Sequence, residues 1–78
     1  MAHIQCYPNP FQDEINIVNT DVLNTNYNLD IIDLQGRILY TQKVSQALQT
    51  ISTKHLSNGV YYIRLHNTEY NYTLKVIK

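Results

Sequence analysis

Asn58-Gly59-Val60-Tyr61-Tyr62-Ile63-Arg64-Leu65-His66 decides the fold class of this 78-residue chain. A turn dipeptide releases a run in which Tyr61, Ile63 and Leu65 alternate with Tyr62, Arg64 and His66. A period of two sends successive side chains to opposite faces of an extended strand, one face for a core and one for water. An amphipathic helix needs a stripe at three- and four-residue spacing. No window of a dozen residues carries such a stripe with caps.

The same period recurs outward from this run. Downstream, Tyr70, Tyr72, Leu74 and Val76 alternate with Asn71, Thr73 and Lys75. Upstream, Tyr27, Leu29 and Ile31 alternate with Asn28 and Asp30, and Ile15 and Ile17 with Glu14 and Asn16. β-branched and aromatic residues abound, as strands prefer, while alanine occurs only at 2 and 47. Strands are expected at 3–7, 13–19, 27–33, 37–44, 48–54, 60–66 and 70–77, with residues 19–28 as a long turn. In 37–44 two faces compete for the core, Ile38 with Tyr40 against Leu39. Seven short strands at roughly ten-residue spacing predict an all-β fold, a seven-stranded immunoglobulin-like antiparallel β-sandwich forming a single domain.

Composition narrows the function. A chain this short buries only about 60% of its unfolded surface, which leaves one core and little room for an active-site cleft. Stability of roughly 4–12 kcal/mol is expected. Six basic and six acidic side chains balance. No basic stripe marks a nucleic-acid face, and none of the apolar runs approaches the length of an integral membrane segment. Cys6 is the only cysteine, so no intrachain disulfide forms. Met1-Ala2-His3 is too short and polar for a signal peptide and reads as an expression start or linker, with residues 4–78 as the domain. The chain reads as one domain of something longer. Seven tyrosines against one phenylalanine and no tryptophan suit a thin sandwich, where few side chains lie far from solvent.

Backbone-special residues fall in three short strings. In Tyr7-Pro8-Asn9-Pro10-Phe11, two prolines fix φ and remove two donors, so the segment is an edge kink or a crossing between sheets, with Phe11 plugging the sandwich end. Asp33-Leu34-Gln35-Gly36-Arg37 is a hairpin turn. Asp33 accepts from the backbone ahead, Gly36 supplies the positive φ of a type I turn plus bulge, and Arg37 pairs with Asp33 across the turn. An exposed pair of that kind contributes about 0–1 kcal/mol. In Leu56-Ser57-Asn58-Gly59-Val60-Tyr61, Asn58-Gly59 tolerates left-handed backbone, Leu56 caps the core and Tyr61 re-enters it.

Catalytic constellations are missing. His3 and Cys6 sit three apart and point to opposite faces of an extended strand. His3, His55 and His66 lie on separate elements without metal-ligand spacing, so neither a metal nor any other cofactor is expected. Asp13, Glu14, Asp30 and Asp33 read as solvated strand-edge charges. Two glycines cannot build a phosphate loop. Asn71-Tyr72-Thr73 matches the glycosylation pattern, a frequent chance match. The chain is therefore expected not to be an enzyme.

Taken together and in this order, the three strings resemble the C-terminal sorting domain of type IX secretion cargo, the Por-system type A family of Bacteroidetes. That family carries Y-P-N-P-F, then D-x-x-G-R with a following apolar residue, then L-x-x-G-x-Y and a closing lysine-bearing strand. The matching residues are Tyr7, Pro8, Asn9, Pro10 and Phe11; Asp33, Gly36 and Arg37 with Leu39; Leu56, Gly59 and Tyr61; and Lys75 and Lys78. The likeness spans about residues 4–78 and favours Leu39 over Ile38 as the core-facing residue. Cys6 departs from it, since the family more often has an aliphatic there.

The resemblance implies a sorting signal at the C-terminus of a cargo protein. The type IX translocon, outer-membrane shuttle proteins and a sortase would carry the cargo from the periplasm across the outer membrane to the cell surface or medium. The expected recognition element, on physical grounds, is the last strand, with Tyr70, Tyr72, Leu74, Lys75, Val76 and Lys78, read by strand pairing and charge contacts. An edge strand would also permit a weak homodimer. The competing expectation is a small carbohydrate-binding or spacer module appended to a secreted enzyme or adhesin, with Tyr62, Tyr70 or Tyr72 as its platform.

Overall fold

Alternation becomes architecture once strands share a core. The computed structural model describes residues 4–19 and 26–78. It contains β1 (Ile4–Tyr7), β2 (Glu14–Asn19), β3 (Tyr27–Ile32), β4 (Ile38–Val44), β5 (Leu48–Ser52), β6 (Val60–His66) and β7 (Asn71–Ile77). There is no helix among the described residues. All pairings are antiparallel, in a three-stranded sheet of order β1-β2-β5 and a four-stranded sheet of order β4-β3-β6-β7. The expected strands match within two residues at each end, and 60–66 matches at both. Residues 1–3, with His3, and most of the expected 19–28 turn lie outside the described residues.

Both sheets turn their apolar alternates inward. Ile4, Ile15, Ile17 and Ile51 come from one sheet, and Tyr27, Leu29, Ile31, Val44, Ile63, Leu65 and Val76 from the other, in a single buried cluster. In β6 the strict in–out pattern holds from Val60 to His66. Phe11 closes one end of this core at 2% exposure, its ring 6.3 Å from that of Tyr61.

Two expectations are corrected here. Neither Ile38 nor Leu39 reaches the core: both are exposed, and Tyr40 packs against it instead. The reason is a register shift. Ile31 faces Tyr40 while Ile32 faces Ile38, so Leu39 is an extra residue opposite no partner. Asp30 and Asp33 are not solvated strand-edge charges; both are buried. Asp30 lies on the outward face of the inner strand β3, between Thr41 of β4 and Arg64 of β6. Arg64 donates to its Oδ2 from Nη2 (2.8 Å) and Nε (3.2 Å), and the Thr41 hydroxyl donates to its Oδ1 (2.8 Å). His66 Nε2 lies 2.9 Å from Oδ2. Burial pushes the Asp30 carboxyl up, but the bonds from Arg64, Thr41 and His66 outweigh it and hold the group below the usual carboxylate range.

The depressed Asp30 carboxyl contributes stability that is present above its ordinary pKa of about 4 and is lost as pH falls through and below that value. Urea unfolding of the wild type and Asp30→Asn from neutral pH to pH 2 checks this: the wild-type lead should shrink towards zero with acidification. Phe11→Ala should cost about 3–5 kcal/mol, read as a lowered urea midpoint at unchanged slope.

Candidate functional site

The three strings occupy one end of the molecule, where the kink and the Leu56–Gly59 turn meet the close of β7 and the Asp33–Arg37 turn lies beside the other turn. Both prolyl bonds of the kink are cis. The kink links two neighbours of the three-stranded sheet, yet its hydrogen bonds cross to the other sheet. Phe11 N–H donates to Ile77 O (2.8 Å), Ile77 N–H donates to Asn9 Oδ1 (3.0 Å), and Asn9 Nδ2 donates to Lys75 O (3.4 Å). With the amides of Pro8 and Pro10 removed as donors, the Asn9 side chain does the pairing that backbone would do in a strand.

Those bonds reveal the phase of β7. Gly59 and Lys78 exchange both backbone bonds (3.2 and 2.8 Å), so Lys78 points its backbone polar groups at β6's side. Antiparallel ladders alternate, so the backbone groups of Asn71, Thr73, Lys75 and Ile77 point away from β6. Asn9 and Phe11 cover this edge from Lys75 O to Ile77. The stretch from Asn71 to the Lys75 amide remains a bare sheet edge. Along it Tyr70, Tyr72 and Lys75 are exposed, Leu74 is half-buried and Val76 is buried in the core.

Lys78 turns inward. Its ammonium donates to Thr53 O (2.5 Å) and Leu56 O (2.6 Å), two carbonyls of the β5–β6 connection. Lys75 is thus the outward cation of the strand, and Lys78 ties the strand to the rest of the domain. Sequence reasoning assigned both lysines to charge contacts; the signal that separates them is phase, since 75 and 78 have opposite parity in a strand of period two. Asn9 was read only as a residue bent by its neighbouring prolines, although an amide between two donor-less residues is suited to replacing them.

The turns behave differently from each other. Asp33 Oδ1 accepts from Gln35 N–H and Arg37 N–H (both 2.9 Å), and its Oδ2 accepts from Arg37 Nε (2.7 Å). Gly36 N–H donates to Asp33 O (3.0 Å), and Gly36 has φ +85°, the expected turn plus bulge. Burial raises the Asp33 carboxyl, but bonds from Arg37 and Gln35 outweigh it and hold it below its ordinary range. Gly59 has no positive φ and neither has Asn58, so this turn does not use left-handed backbone. Leu56 and Tyr61 are buried as expected, and the Tyr61 hydroxyl donates to Ser57 O (2.6 Å).

Among the described residues no three His, Cys, Asp or Glu side chains gather as a metal site. Burial pushes the Cys6 thiol up to about 12, far from a thiolate nucleophile, and Cys6 packs against the core. The tyrosine platform is not assembled. Tyr62 stands opposite Lys75 on the outward face, and Tyr72 opposite Leu65 on the inward one.

Compared with known proteins, residues 5–78 match the family model described as secretion system C-terminal sorting domain. No curated protein matches the chain.

The two motif glycines should respond oppositely to alanine. Neither has an atom within 4 Å of an added Cβ, so the backbone decides. Gly36→Ala places a side chain at positive φ and should cost about 1–2 kcal/mol. Gly59→Ala should be neutral or stabilise by up to about 1 kcal/mol. Thermal or urea melts of the two variants measure both.

Proposed function

The chain belongs to the secretion system C-terminal sorting domain family, and from that premise we propose that the bare edge of β7 is the element its export machinery reads. The domain is a type IX secretion sorting signal, which directs export across the outer membrane to the cell surface or extracellular space. A sorting signal works by being bound, which agrees with the absence of a catalytic constellation in the sequence.

In this reading the domain crosses the periplasm attached to an upstream cargo domain. It engages the outer-membrane translocon and shuttle proteins, and a surface sortase then acts on the cargo. The observation that carries the assignment of the edge is its hydrogen-bonding phase. Asn71, Thr73 and the Lys75 amide direct unpaired main-chain groups outward beside exposed Tyr72 and Lys75. An extended partner segment can add there as a further strand, with main-chain bonds for affinity and Lys75 for charge selection. The same edge would support a weak homodimer where no partner competes.

We also read the fold as immunoglobulin-like. Lettered A to G in chain order, the sheets are A-B-E and D-C-F-G. This is the familiar two-sheet arrangement with strand D moved beside C.

Thr73→Pro tests the edge without breaking the ladder to β6, because the amide it removes points outward. In a reporter protein carrying this domain at its C-terminus, the variant should accumulate in the periplasm while the domain's melting temperature stays within a few degrees of wild type. Undiminished surface delivery of a folded Thr73→Pro fusion would sink the assignment.

A further inference from the structure

The second and third motif strings, far apart in sequence, line one concavity of about 480 Å³. Asp33, Leu34 and Arg37 of the first turn and Ser57, Gly59 and Tyr61 of the second line it, together with Leu39 and His55. Leu39 is there because of the β4 bulge: its side chain, displaced from the core, is 41% exposed, and Leu34 at the turn tip is 63% exposed. Two large aliphatic side chains thus stand in solvent beside a guanidinium.

The acceptors that Asp33 and the Ser57 carbonyl bring to this concavity are already engaged, and the Gln35 side-chain amide beside them carries a donor as well as an acceptor. Both oxygens of Asp33 are occupied, Oδ1 by two amides and Oδ2 by Arg37 Nε. Asp33 O is taken by Gly36 N–H, and Ser57 O by the Tyr61 hydroxyl. Arg37 uses only Nε; its side chain is 73% exposed, and its terminal amino groups have no protein partner among the described residues. The Ser57 hydroxyl is likewise unengaged among them, and exposed His55 lies beside Tyr40, ring centroids 6.3 Å apart with the planes tilted by 46°. The pocket offers donors whose natural complement is an anionic acceptor, and Arg fits a carboxylate in a planar, two-pronged geometry.

We propose that this concavity is a docking pocket for an Asp or Glu side chain of a partner protein, flanked by an aliphatic residue that covers Leu34 and Leu39. The carboxylate accepts from the Arg37 terminal amino groups and from Ser57. Asp33 fixes the guanidinium through Nε and leaves its terminal edge for the ligand. The inference rests on the sorting reading only for the partner being a protein, and it does not involve the β7 edge.

The test is a titration of the ¹⁵N-labelled chain with acetyl-Leu-Glu-Leu-amide and its glutamine counterpart, followed by amide chemical shifts. Saturable shifts should localise to Leu34, Arg37, Leu39, Ser57 and Val60, with affinity about tenfold weaker for the glutamine peptide. Arg37→Gln, which keeps the Asp33 backbone clamp, should abolish that preference, and Leu39→Ser should weaken both peptides alike; the spectra themselves report that each variant is folded. Equal shifts by both peptides, shifts elsewhere, or none would overturn the pocket. An export defect in Thr73→Pro together with silence here removes the pocket and leaves the sorting reading. Glutamate-selective binding together with normal export of Thr73→Pro retains the pocket and removes the edge.

Discussion

Everything in this domain depends on a hydrogen-bonded seam between residues 9–11 and residues 75–77. A sandwich of three and four strands has open edges, and here the two sheets meet where the kink after β1 faces the end of β7. Phe11 N–H, Ile77 N–H and the Asn9 amide close that gap. Each neutral bond contributes only about 1 kcal/mol net, and the two made by the Asn9 side chain are exposed, so the seam acts by fixing the geometry of the chain there. The seam also positions Phe11 over the end of the core, with its ring 6.3 Å from that of Tyr61. The rigidity of Pro8-Asn9-Pro10 therefore serves the opposite sheet as much as its own.

The domain uses many of its charges within itself. Asp30 holds three strands of the four-stranded sheet through Thr41, Arg64 and His66. Asp33 organises a turn, and the Lys78 ammonium is captured by two carbonyls. Charge bound in this way specifies geometry rather than attracting partners. What is left outward, notably Lys75 and the terminal amino groups of Arg37, lies beside exposed apolar side chains. Lys43 and Lys54 are exposed as well, but Lys75 and Arg37 are the cations that stand beside the β7 edge and the concavity between the two turns.

Much of this was legible in the chain. Period two locates β2, β3, β6 and β7 because their buried and wet faces alternate, and the hairpin at Asp33–Arg37 is readable because an Asx clamp with a positive-φ glycine has a local signature. The failures share a cause, which is that cross-strand register is not local. Residues 37–44 alone leave Ile38 with Tyr40 and Leu39 competing for the core, and the family likeness favours Leu39; the bulge that puts Leu39 outside appears only when Ile31 and Ile32 are matched to β4. Alternation sends Asp30 outward and so towards solvent; its cover comes from Thr41 across the β3–β4 hairpin and from Arg64 and His66 on β6, a strand that sequence order does not make a neighbour of β3. Asn9 and Lys78 carry contacts between residues more than twenty positions apart, beyond the reach of any spacing rule.

Lys78 gives β7 a fixed length. Val76 must enter the core, Ile77 must meet Asn9 and Phe11, and the lysine that follows must reach Thr53 O and Leu56 O while its backbone pairs with Gly59. These three demands fall on consecutive residues and alternate in direction. Inserting or removing one residue in β7 would satisfy at most one of them, since a one-residue slip turns every side chain to the other face. The residue count cannot vary: the end of β7 is a gauge block, against which the spacing of the kink and of the Leu56–Gly59 turn is set.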